Sequence, residues 1–273
     1  MTDSFSTRSL RAAFKYPFQS PEAPGRFIVG AALLLLSLFI PVVPALFVWG
    51  YVVRVMRQTI HGEEPALPEW KNWSQLGADG LRSLVAAAVY LGPGLATMLC
   101  GWVLYLFLYL GGFSLIGQTR HATAPGLAVV LIVGAVAVLF LSLFAGWLLT
   151  LLGGVPLPAA LAHMAARERL GAAFNVFEWG AILAADKWGY LIAWVVTLGL
   201  ASLLYCALLL AYFTIVLMCV AGLIALPFGF YLLLVAAVLF SQAYREGAAR
   251  LKGPAPAQPL EPASEPPAAE GDA

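Results

Sequence analysis

Three long stretches of the chain contain no Asp, Glu, Lys or Arg, and they set its pattern of hydrophobic and polar positions. They cover residues 84–110, 122–166 and 188–244 of the 273-residue sequence. A helix needs about 20 predominantly apolar residues to cross the hydrocarbon core of a bilayer, and each stretch is long enough. The pattern predicts an all-α protein, a polytopic transmembrane helical bundle with about five to six membrane segments and interfacial amphipathic helices.

Glycine and proline positions predict the bounds of the later membrane segments. One segment is predicted over residues 83–110, with a kink at Gly92-Pro93-Gly94, and another over 126–152, ending at Gly153-Gly154. The stretch over 188–241 is too long for one crossing. We therefore predict that it crosses twice and turns between Tyr212 and Pro227.

The first apolar run, residues 27–53, allows two interpretations because Pro41 and Pro44 interrupt it. A continuous helix of this length would measure about 40 Å, so the run is either one long kinked span or a proline-broken hairpin that returns to its own side. The hairpin places every Lys and Arg except Arg120 on one side, whereas a single crossing divides them ten to five. Short loops rich in Lys and Arg stay in the cytoplasm, so we prefer the hairpin, with both termini cytoplasmic.

The two ends of the chain differ from its apolar middle. Residues 6–18 are predicted to form an amphipathic helix at the membrane surface, with Arg8, Arg11 and Lys15 on one face and apolar residues opposite. The alternative for this segment is a disordered tail. Residues 253–273 consist mainly of Pro, Ala and Glu, a composition that predicts disorder.

A weak internal repeat is present in the predicted single membrane domain, residues 1–252. Residues 10–62 and 170–247 both begin with Leu-x-Ala-Ala-Phe, continue into a membrane run, and end in polar residues before a glycine. Internal repeats are common in membrane transport folds, but alanine-rich apolar sequence also matches by chance. A shared origin and a chance match are both left open.

The segment between residues 50 and 80 is the most distinctive part of the sequence. Pro68 suits the first turn of a helix, and apolar residues recur after it at helical spacing, which predicts an interfacial helix with its tryptophans at the headgroup level. Arg54 and Arg57 follow the preceding membrane run, close to several carboxylates and to the lipid phosphates. Those carboxylates are Glu63, Glu64, Glu69 and Asp79.

We interpret this segment either as a loop that anchors itself through aromatic and ionic contacts or as a site that contacts a lipid or a partner. The candidate site residues are Gly50, Tyr51, Arg54, Arg57, Gly62, Leu67, Pro68, Glu69, Trp70, Trp73, Asp79 and Gly80.

At these residues the chain resembles the prokaryotic membrane protein family catalogued as domain of unknown function 4013. The family pattern is G-Y-x-x-R, a short polar loop with glycine, L-P-x-W, and D-G before the next span, and every element is present between Gly50 and Gly80. The resemblance is specific over about residues 14–110 and looser beyond. It implies a multi-pass protein of a bacterial or archaeal cell membrane, with no established activity or catalytic residues.

Residues that could carry catalysis or bind a metal are scattered along the chain. His61, His121 and His163 fall in three different predicted loops without metal-ligand spacing, so we interpret them as surface histidines. The three cysteines lie inside apolar stretches, where free cysteine behaves as a small hydrophobic residue. Neither a G-x-S-x-G motif nor a phosphate-binding glycine loop occurs. We therefore predict no enzymatic activity, no cofactor and no metal site.

The polar content of the predicted spans bears on transport. Ion-coupled transporters usually keep ionisable residues within their spans, whereas these spans hold only weakly polar groups. The groups are Thr97, Ser142, Thr150, Thr197 and Ser202.

The sequence favours a non-enzymatic membrane protein that acts by lipid contact or as a component of a membrane assembly. Its predicted partners are membrane lipids and a homo-oligomer or membrane protein partner. The formal net charge of +1 gives no reason to expect nucleic acid. The alternative is a small permease or channel subunit for an uncharged or lipidic solute, based on broken helices at Pro93 and Pro227 and on the repeat.

Overall fold

The computed structural model describes residues 7–63, 66–116, 124–213 and 215–252, which are helical almost throughout. Nine α-helices and two short 3₁₀ helices follow one another in these ranges, and none of the described residues lies in a strand. The predicted all-α class is confirmed. The α-helices are α1 (Thr7–Lys15), α2 (Ala23–Leu36), α3 (Val43–His61), α4 (Trp73–Ile116), α5 (Ala124–Gly154), α6 (Leu157–Arg167), α7 (Val176–Ala185), α8 (Lys187–Tyr212) and α9 (Ile215–Lys252). The 3₁₀ helices are Tyr16–Phe18 and Leu170–Phe174.

Four helical segments are long and apolar enough to cross a membrane, by length and composition. They are Trp73–Ile116, Gly126–Arg167, Lys187–Tyr212 and Leu223–Lys252. The predicted segments over 83–110 and 126–152 lie inside α4 and α5. The long final stretch forms two helices, as predicted, because α8 ends at Tyr212 and α9 begins at Ile215.

Pro93 and Pro227 lie inside α4 and α9, and both helices continue through them. The expectation of broken helices at these two prolines is therefore wrong. Proline removes one backbone hydrogen bond from a helix, but long helices packed on neighbours tolerate that loss. Thr97 bonds within its own helix, donating from Oγ1 to the carbonyl oxygen of Pro93 at 2.8 Å.

The first apolar run forms the hairpin and not the single kinked span. Helix α2 ends at Leu36, residues 37–42 turn, and α3 begins at Val43. Trp70 Nε1 donates to the carbonyl oxygen of Arg26 at 2.8 Å while its ring stacks on Tyr51, so the start of α2 lies beside the middle of α3. The 14 residues of α2 measure about 21 Å, less than the roughly 30 Å of a bilayer core. We call α2 and α3 the α2–α3 hairpin.

Glycines set the close approach of neighbouring helices. A Cβ atom on Gly50 of α3 would lie 1.9 Å from the carbonyl oxygen of Leu76, and one on Gly80 of α4 would lie 1.9 Å from that of Leu46. Helices α4 and α5 also approach closely at a glycine, Gly153, where a Cβ would lie 1.8 Å from the carbonyl oxygen of Tyr90. Small residues allow membrane helices to pack backbone against backbone.

Helix α6 lies in the centre of the core. Every residue from Ala159 to Ala165 is buried, and α3, α4, α7 and α9 all pack against it. Its alanines present little side-chain volume, so the surrounding helices come close on every side. The prediction of a loop around His163 is wrong, because hydropathy alone does not separate a short alanine-rich helix from neighbouring apolar sequence.

The core occupies one end of the bundle, and the long helices extend away from it in two pairs. Helix α4 packs on α5, and α8 packs on α9, but no packing interface joins the two pairs in the described part of the chain. Only 6% of the most apolar window of α8 is buried. Helix α8 therefore leaves a large apolar surface uncovered by the rest of the described chain.

Three earlier expectations concern the ends and the repeat. The predicted N-terminal helix is present as α1, and its Ala13 is fully buried in a helix that packs on α9. The tail over 253–273 lies outside the described residues. The repeat stays a prediction: Leu10–Phe14 is part of α1, whereas the matching Leu170–Phe174 forms a 3₁₀ helix.

Candidate functional site at the charged end

The polar ends of several helices meet at one end of the bundle, which we call the charged end. The C-terminal end of α3, the N-terminal end of α4 and the segment after α6 are joined there by ion pairs. The C-terminal part of α9 joins them, because Arg245 Nη1 donates to the carbonyl oxygen of Thr59 at 3.2 Å. The candidate residues predicted from sequence lie within this region.

Residues 66–72, which we call the strap, connect α3 to α4 without helical structure. The prediction of a helix beginning at Pro68 is wrong, and α4 begins only at Trp73. Inside a helix these carbonyl oxygens would accept backbone N–H groups. Here they accept hydrogen bonds from side chains of preceding elements. The bonds run from Tyr16 Oη to Ala66 (3.0 Å), from Arg26 to Leu67, from Tyr51 Oη to Pro68 (2.8 Å), and from Arg54 Nη1 to Glu69 (3.0 Å) and Lys71 (2.9 Å).

Burial and aromatic stacking fix the strap further. Leu67 and Pro68 are buried, and Trp70 stacks on Tyr51 with ring centroids 4.0 Å apart and planes 10° apart. Trp73, which is 45% exposed, contacts Phe47 edge to face at 5.3 Å. The buried Tyr51 thus carries both a hydrogen bond and a ring contact to the strap. Removing it would release two attachments at once.

Arg57 and Asp79 form the buried centre of the charged end. Arg57 Nη2 lies 3.1 Å from Asp79 Oδ2, and Arg57 Nε lies 3.1 Å from Glu168 Oε1. Arg82 Nη1 adds a second cation to Asp79, at 3.0 Å from Oδ1. The Asp79 side chain is only 3% exposed, so its charge depends on these partners. Asp79 is among the arginine partners predicted from the sequence, whereas Glu168, which follows α6, is not.

Arg54 has a different set of partners. Its guanidinium donates to two strap carbonyl oxygens, and no carboxylate of the described chain forms an ion pair with it. The sequence predicts carboxylates or lipid phosphates as partners of Arg54, but Arg54 donates to the backbone carbonyl oxygen of Glu69 and not to its carboxylate. Arg54 is half-buried. Its positive charge is therefore oriented by the strap without being neutralised by a direct partner.

Beside the strap lies an open cavity of about 310 Å³, which we call the strap pocket. Arg26 pairs with Glu22 and, at 3.3 Å, with Glu69 Oε1, while Lys71 pairs with Glu69. The Lys71 ammonium lowers the pKa of the Glu69 carboxyl, first by a hydrogen bond and then by its charge. Val29 and Trp70 add apolar surface. The strap pocket thus joins charges of both signs to an apolar wall.

Gly62 ends α3 at the charged end. Its φ of 73° lies in the left-handed region, and its backbone N–H donates to the carbonyl oxygen of Thr59. Glycine adopts this conformation without steric cost, which is why it is the usual residue after a helix. Gly62 therefore lets the chain leave α3 toward the strap.

His163 is a buried core residue, so its prediction as a surface histidine is wrong. It is 1% exposed, its Nδ1 lies 2.7 Å from Tyr244 Oη, and its Nε2 lies 3.1 Å from Glu178 Oε2. A polar ring is accommodated in a core when both nitrogens have partners. The alanine-rich sequence around it was the available signal for burial. His61 is exposed, and His121 lies outside the described residues.

The structure also shows where possible metal ligands and thiols lie. The described residues contain no group of three or more His, Cys, Asp or Glu side chains placed to hold a metal ion. Cys100 and Cys206 are free and exposed on the apolar surface of α4 and α8. The charged end offers fixed charges, hydrogen-bond donors and aromatic surface.

Comparisons with known proteins place these residues in a family. The sequence model of the family described as Protein of unknown function (DUF4013) matches residues 33–213, more than half of the chain. The predicted resemblance is confirmed, although the match begins later than residue 14 and extends beyond 110 through α8. It includes the strap, Asp79 and Glu168. No curated protein and no solved structure matches the chain.

Proposed function

The chain belongs to the DUF4013 family of proteins of unknown function, and we propose that it is a non-enzymatic, multi-pass membrane protein that binds phospholipid headgroups at its charged end. The strap pocket is the observation that carries this proposal. The pocket places Arg26 and Lys71 next to Trp70 and Val29, at the start of the α2–α3 hairpin. Basic side chains attract lipid phosphates, and tryptophan prefers the headgroup level.

The charges around the strap suit a phospholipid. Glu22 and Glu69 balance Arg26 and Lys71, while Arg54 contributes a further positive charge without a carboxylate partner. These side chains together carry a net positive charge, which favours a ligand that carries a phosphate. The exposed apolar residues of α2, including Ile28 at 65% exposure, continue from the pocket and provide a surface for acyl chains.

The exposed face of α8 favours the second reading, a component of a membrane assembly. Its apolar surface is left largely uncovered by the chain itself, so a second copy or a membrane partner would find a ready contact there. A permease or channel subunit receives less support, because α4 and α9 continue through Pro93 and Pro227. A helix that continues through a proline frees fewer backbone groups for a solute than a broken helix would.

We propose a prokaryotic cell membrane as the location, with both termini and the charged end in the cytoplasm. In a variant without Cys100, Cys206 and Cys219, Gln118→Cys is expected to react with an impermeant thiol reagent added to intact cells. Lys71→Cys should react only after the cells are opened, because in this topology the α2–α3 hairpin returns the chain to its own side. Reaction of Lys71→Cys in intact cells without reaction of Gln118→Cys would overturn this topology.

Lys71 is the residue whose change tests headgroup binding with least damage to the fold. Its side chain is 75% exposed, so Lys71→Gln removes a cation from the strap pocket while leaving the strap carbonyl bonds in place. One basic residue near a membrane surface contributes about 1 kcal/mol, so we expect phospholipid affinity to fall about fivefold. Native mass spectrometry of the full chain, titrated with a defined phosphatidylglycerol in detergent, measures this change.

Lys187→Gln is the matched control, since Lys187 is an exposed lysine at the start of α8 and does not line the strap pocket. Its lipid titration should follow the unchanged protein, and circular dichroism should show equal helix content in both variants. An equal loss of affinity in the two variants, or no lipid retained by the unchanged protein, would contradict a site at the strap. Retention of a stable homo-oligomer without lipid would favour the assembly reading.

A further inference from the structure

The charged side chains that line the strap pocket alternate in sign and sum to zero. Lys71 pairs with Glu69, and Glu69 pairs in turn with Arg26 at 3.3 Å. Arg26 also pairs with Glu22. All four side chains line the same open cavity of about 310 Å³. This row of alternating charges has a positive end at Lys71 and a negative end at Glu22, and we call it the charge row.

Both ends of the charge row are accessible from outside the protein. The Lys71 side chain is 75% exposed and that of Glu22 is 72% exposed, whereas the Arg26 side chain between them is 18% exposed. A ligand in the strap pocket can therefore contact the two end groups, while Arg26 is largely covered by the protein itself.

Glu22 at the negative end keeps one carboxylate oxygen for a ligand. Glu69 uses both of its oxygens within the protein, Oε1 with Arg26 and Oε2 with Lys71. Glu22 uses only Oε2, and none of the ion pairs among the described residues involves its Oε1. An ionised carboxylate accepts hydrogen bonds and donates none. The negative end therefore suits a ligand group that carries a positive charge and donates N–H bonds.

Positive charge is concentrated at the other end of the charge row. The Lys71 ammonium has three N–H donors, and Glu69 is its one ion-pair partner among the described residues. Arg54 donates to the carbonyl oxygens of Glu69 and Lys71, so a second cation lies next to the strap at this end. Basic groups of this kind attract the phosphate of a lipid headgroup.

We propose that the strap pocket selects a phospholipid whose phosphate is joined by a short linker to a primary ammonium group, which is the chemistry of an ethanolamine headgroup. This inference rests on the proposed binding of phospholipid headgroups at the same pocket. The phosphate faces Lys71, and the ammonium donates to Glu22 Oε1. Each end of the headgroup thus meets the opposite charge, and Glu22 is the residue that determines the selectivity.

Two other common headgroups fit this arrangement less well. The glycerol of phosphatidylglycerol offers hydroxyl donors to Glu22 but no opposite charge. The quaternary ammonium of phosphatidylcholine has no N–H to donate, and proteins recognise such groups by the faces of aromatic rings. Trp70 is the aromatic residue that lines the pocket, and its ring already stacks with Tyr51 and Trp73. The pocket therefore distinguishes a primary ammonium from both alternatives.

Native mass spectrometry of the full-length protein in detergent tests the selectivity, with phosphatidylethanolamine, phosphatidylglycerol and phosphatidylcholine of identical acyl chains. We expect the ethanolamine lipid to bind about fivefold more tightly than either of the others, the upper range for one exposed ion pair. Glu22→Gln should lower the affinity for the ethanolamine lipid to that for phosphatidylglycerol. Binding of phosphatidylglycerol should stay equal or become tighter, because Arg26 loses a competing carboxylate, and its retention shows that the variant is folded.

Glu63→Gln is the matched control, because Glu63 is an exposed glutamate at the charged end that does not line the strap pocket. This variant should keep the preference for the ethanolamine lipid. Equal affinity of the unchanged protein for the three lipids would overturn the selectivity, while weaker phosphatidylglycerol binding by Lys71→Gln would leave the proposed headgroup site in place. A preference that persists in Glu22→Gln would overturn the role of Glu22. Absence of binding by all three lipids would overturn both proposals.

Discussion

Gly80→Ala is expected to force α3 and α4 apart and to lower the free energy of unfolding by about 3 kcal/mol, the upper end of the usual cost of overpacking. The new Cβ would lie 1.9 Å from the carbonyl oxygen of Leu46 and 3.2 Å from the backbone nitrogen of Gly50. Both neighbours are backbone atoms of a helix, so no side-chain rotation relieves the clash. The helices must separate, and the Arg57–Asp79 ion pair between them lengthens as they do.

Equilibrium unfolding in mixed detergent micelles measures this loss, and Gly111→Ala is its matched control. Gly111 lies in the same helix, and nothing lies within 4 Å of a Cβ built on it. That variant should gain about 0.5–1 kcal/mol, since alanine is the better helix former. Equal stability of the two variants would show that the close approach at Gly80 is not present in the protein.

The reciprocal change, Gly50→Ala, adds a further check. Its Cβ would lie 1.9 Å from the carbonyl oxygen of Leu76. Either substitution separates the same pair of helices, so the double variant should lose little more than one single variant. Strict additivity would mean that the two glycines relieve separate clashes. The glycines of the G-Y-x-x-R and D-G elements, Gly50 and Gly80, are thus both required for the close approach of α3 and α4.

Sequence predicted well what depends on local composition. The apolar stretches give the long helices because a membrane-crossing helix needs one uninterrupted run of about 20 apolar residues. In the predicted topology a hairpin at Pro41 and Pro44 leaves only Arg120 apart from the other Lys and Arg residues, which favoured the hairpin, and the structure has this hairpin. Each inference depends on a physical rule that needs only one segment of the sequence or a count of its charges.

The predictions that failed depend on contacts between distant segments. Pro68 is a good first residue of a helix by its own geometry, yet the donors that hold the strap extended come from Arg26 and Tyr51, outside any local window. The prediction for His163 failed for the same reason, because one of its hydrogen-bond partners, Tyr244, lies 81 residues away in the sequence. Local propensity is overridden wherever side chains from elsewhere take up the backbone or ring hydrogen bonds.

Asp79→Asn is expected to lower the free energy of unfolding by about 3 kcal/mol, because it removes the anion from a buried ion pair and leaves its cation behind. The Asp79 side chain is 3% exposed and that of Arg57 is 14% exposed, so neither reaches much water. Glu168 still pairs with Arg57 in the variant, but it is 59% exposed and screened by solvent. The remaining partner therefore cannot replace Asp79 in the core.

A double variant distinguishes two roles of Asp79: an ion pair with Arg57 that stabilises the fold, or a charge that binds a ligand. Arg57→Met with Asp79→Leu removes both buried charges and should recover much of the loss, since an apolar pair of similar volume often replaces a buried ion pair without cost. Glu22→Gln is the control. The Glu22 side chain, which pairs with Arg26, is 72% exposed, so this variant should change stability little. If Asp79→Asn instead unfolds like this control while phospholipid affinity falls, the carboxylate is held for a ligand at the expense of stability. Loss of stability with recovery in the double variant assigns Asp79 to the fold, and the search for a ligand then moves to the strap pocket.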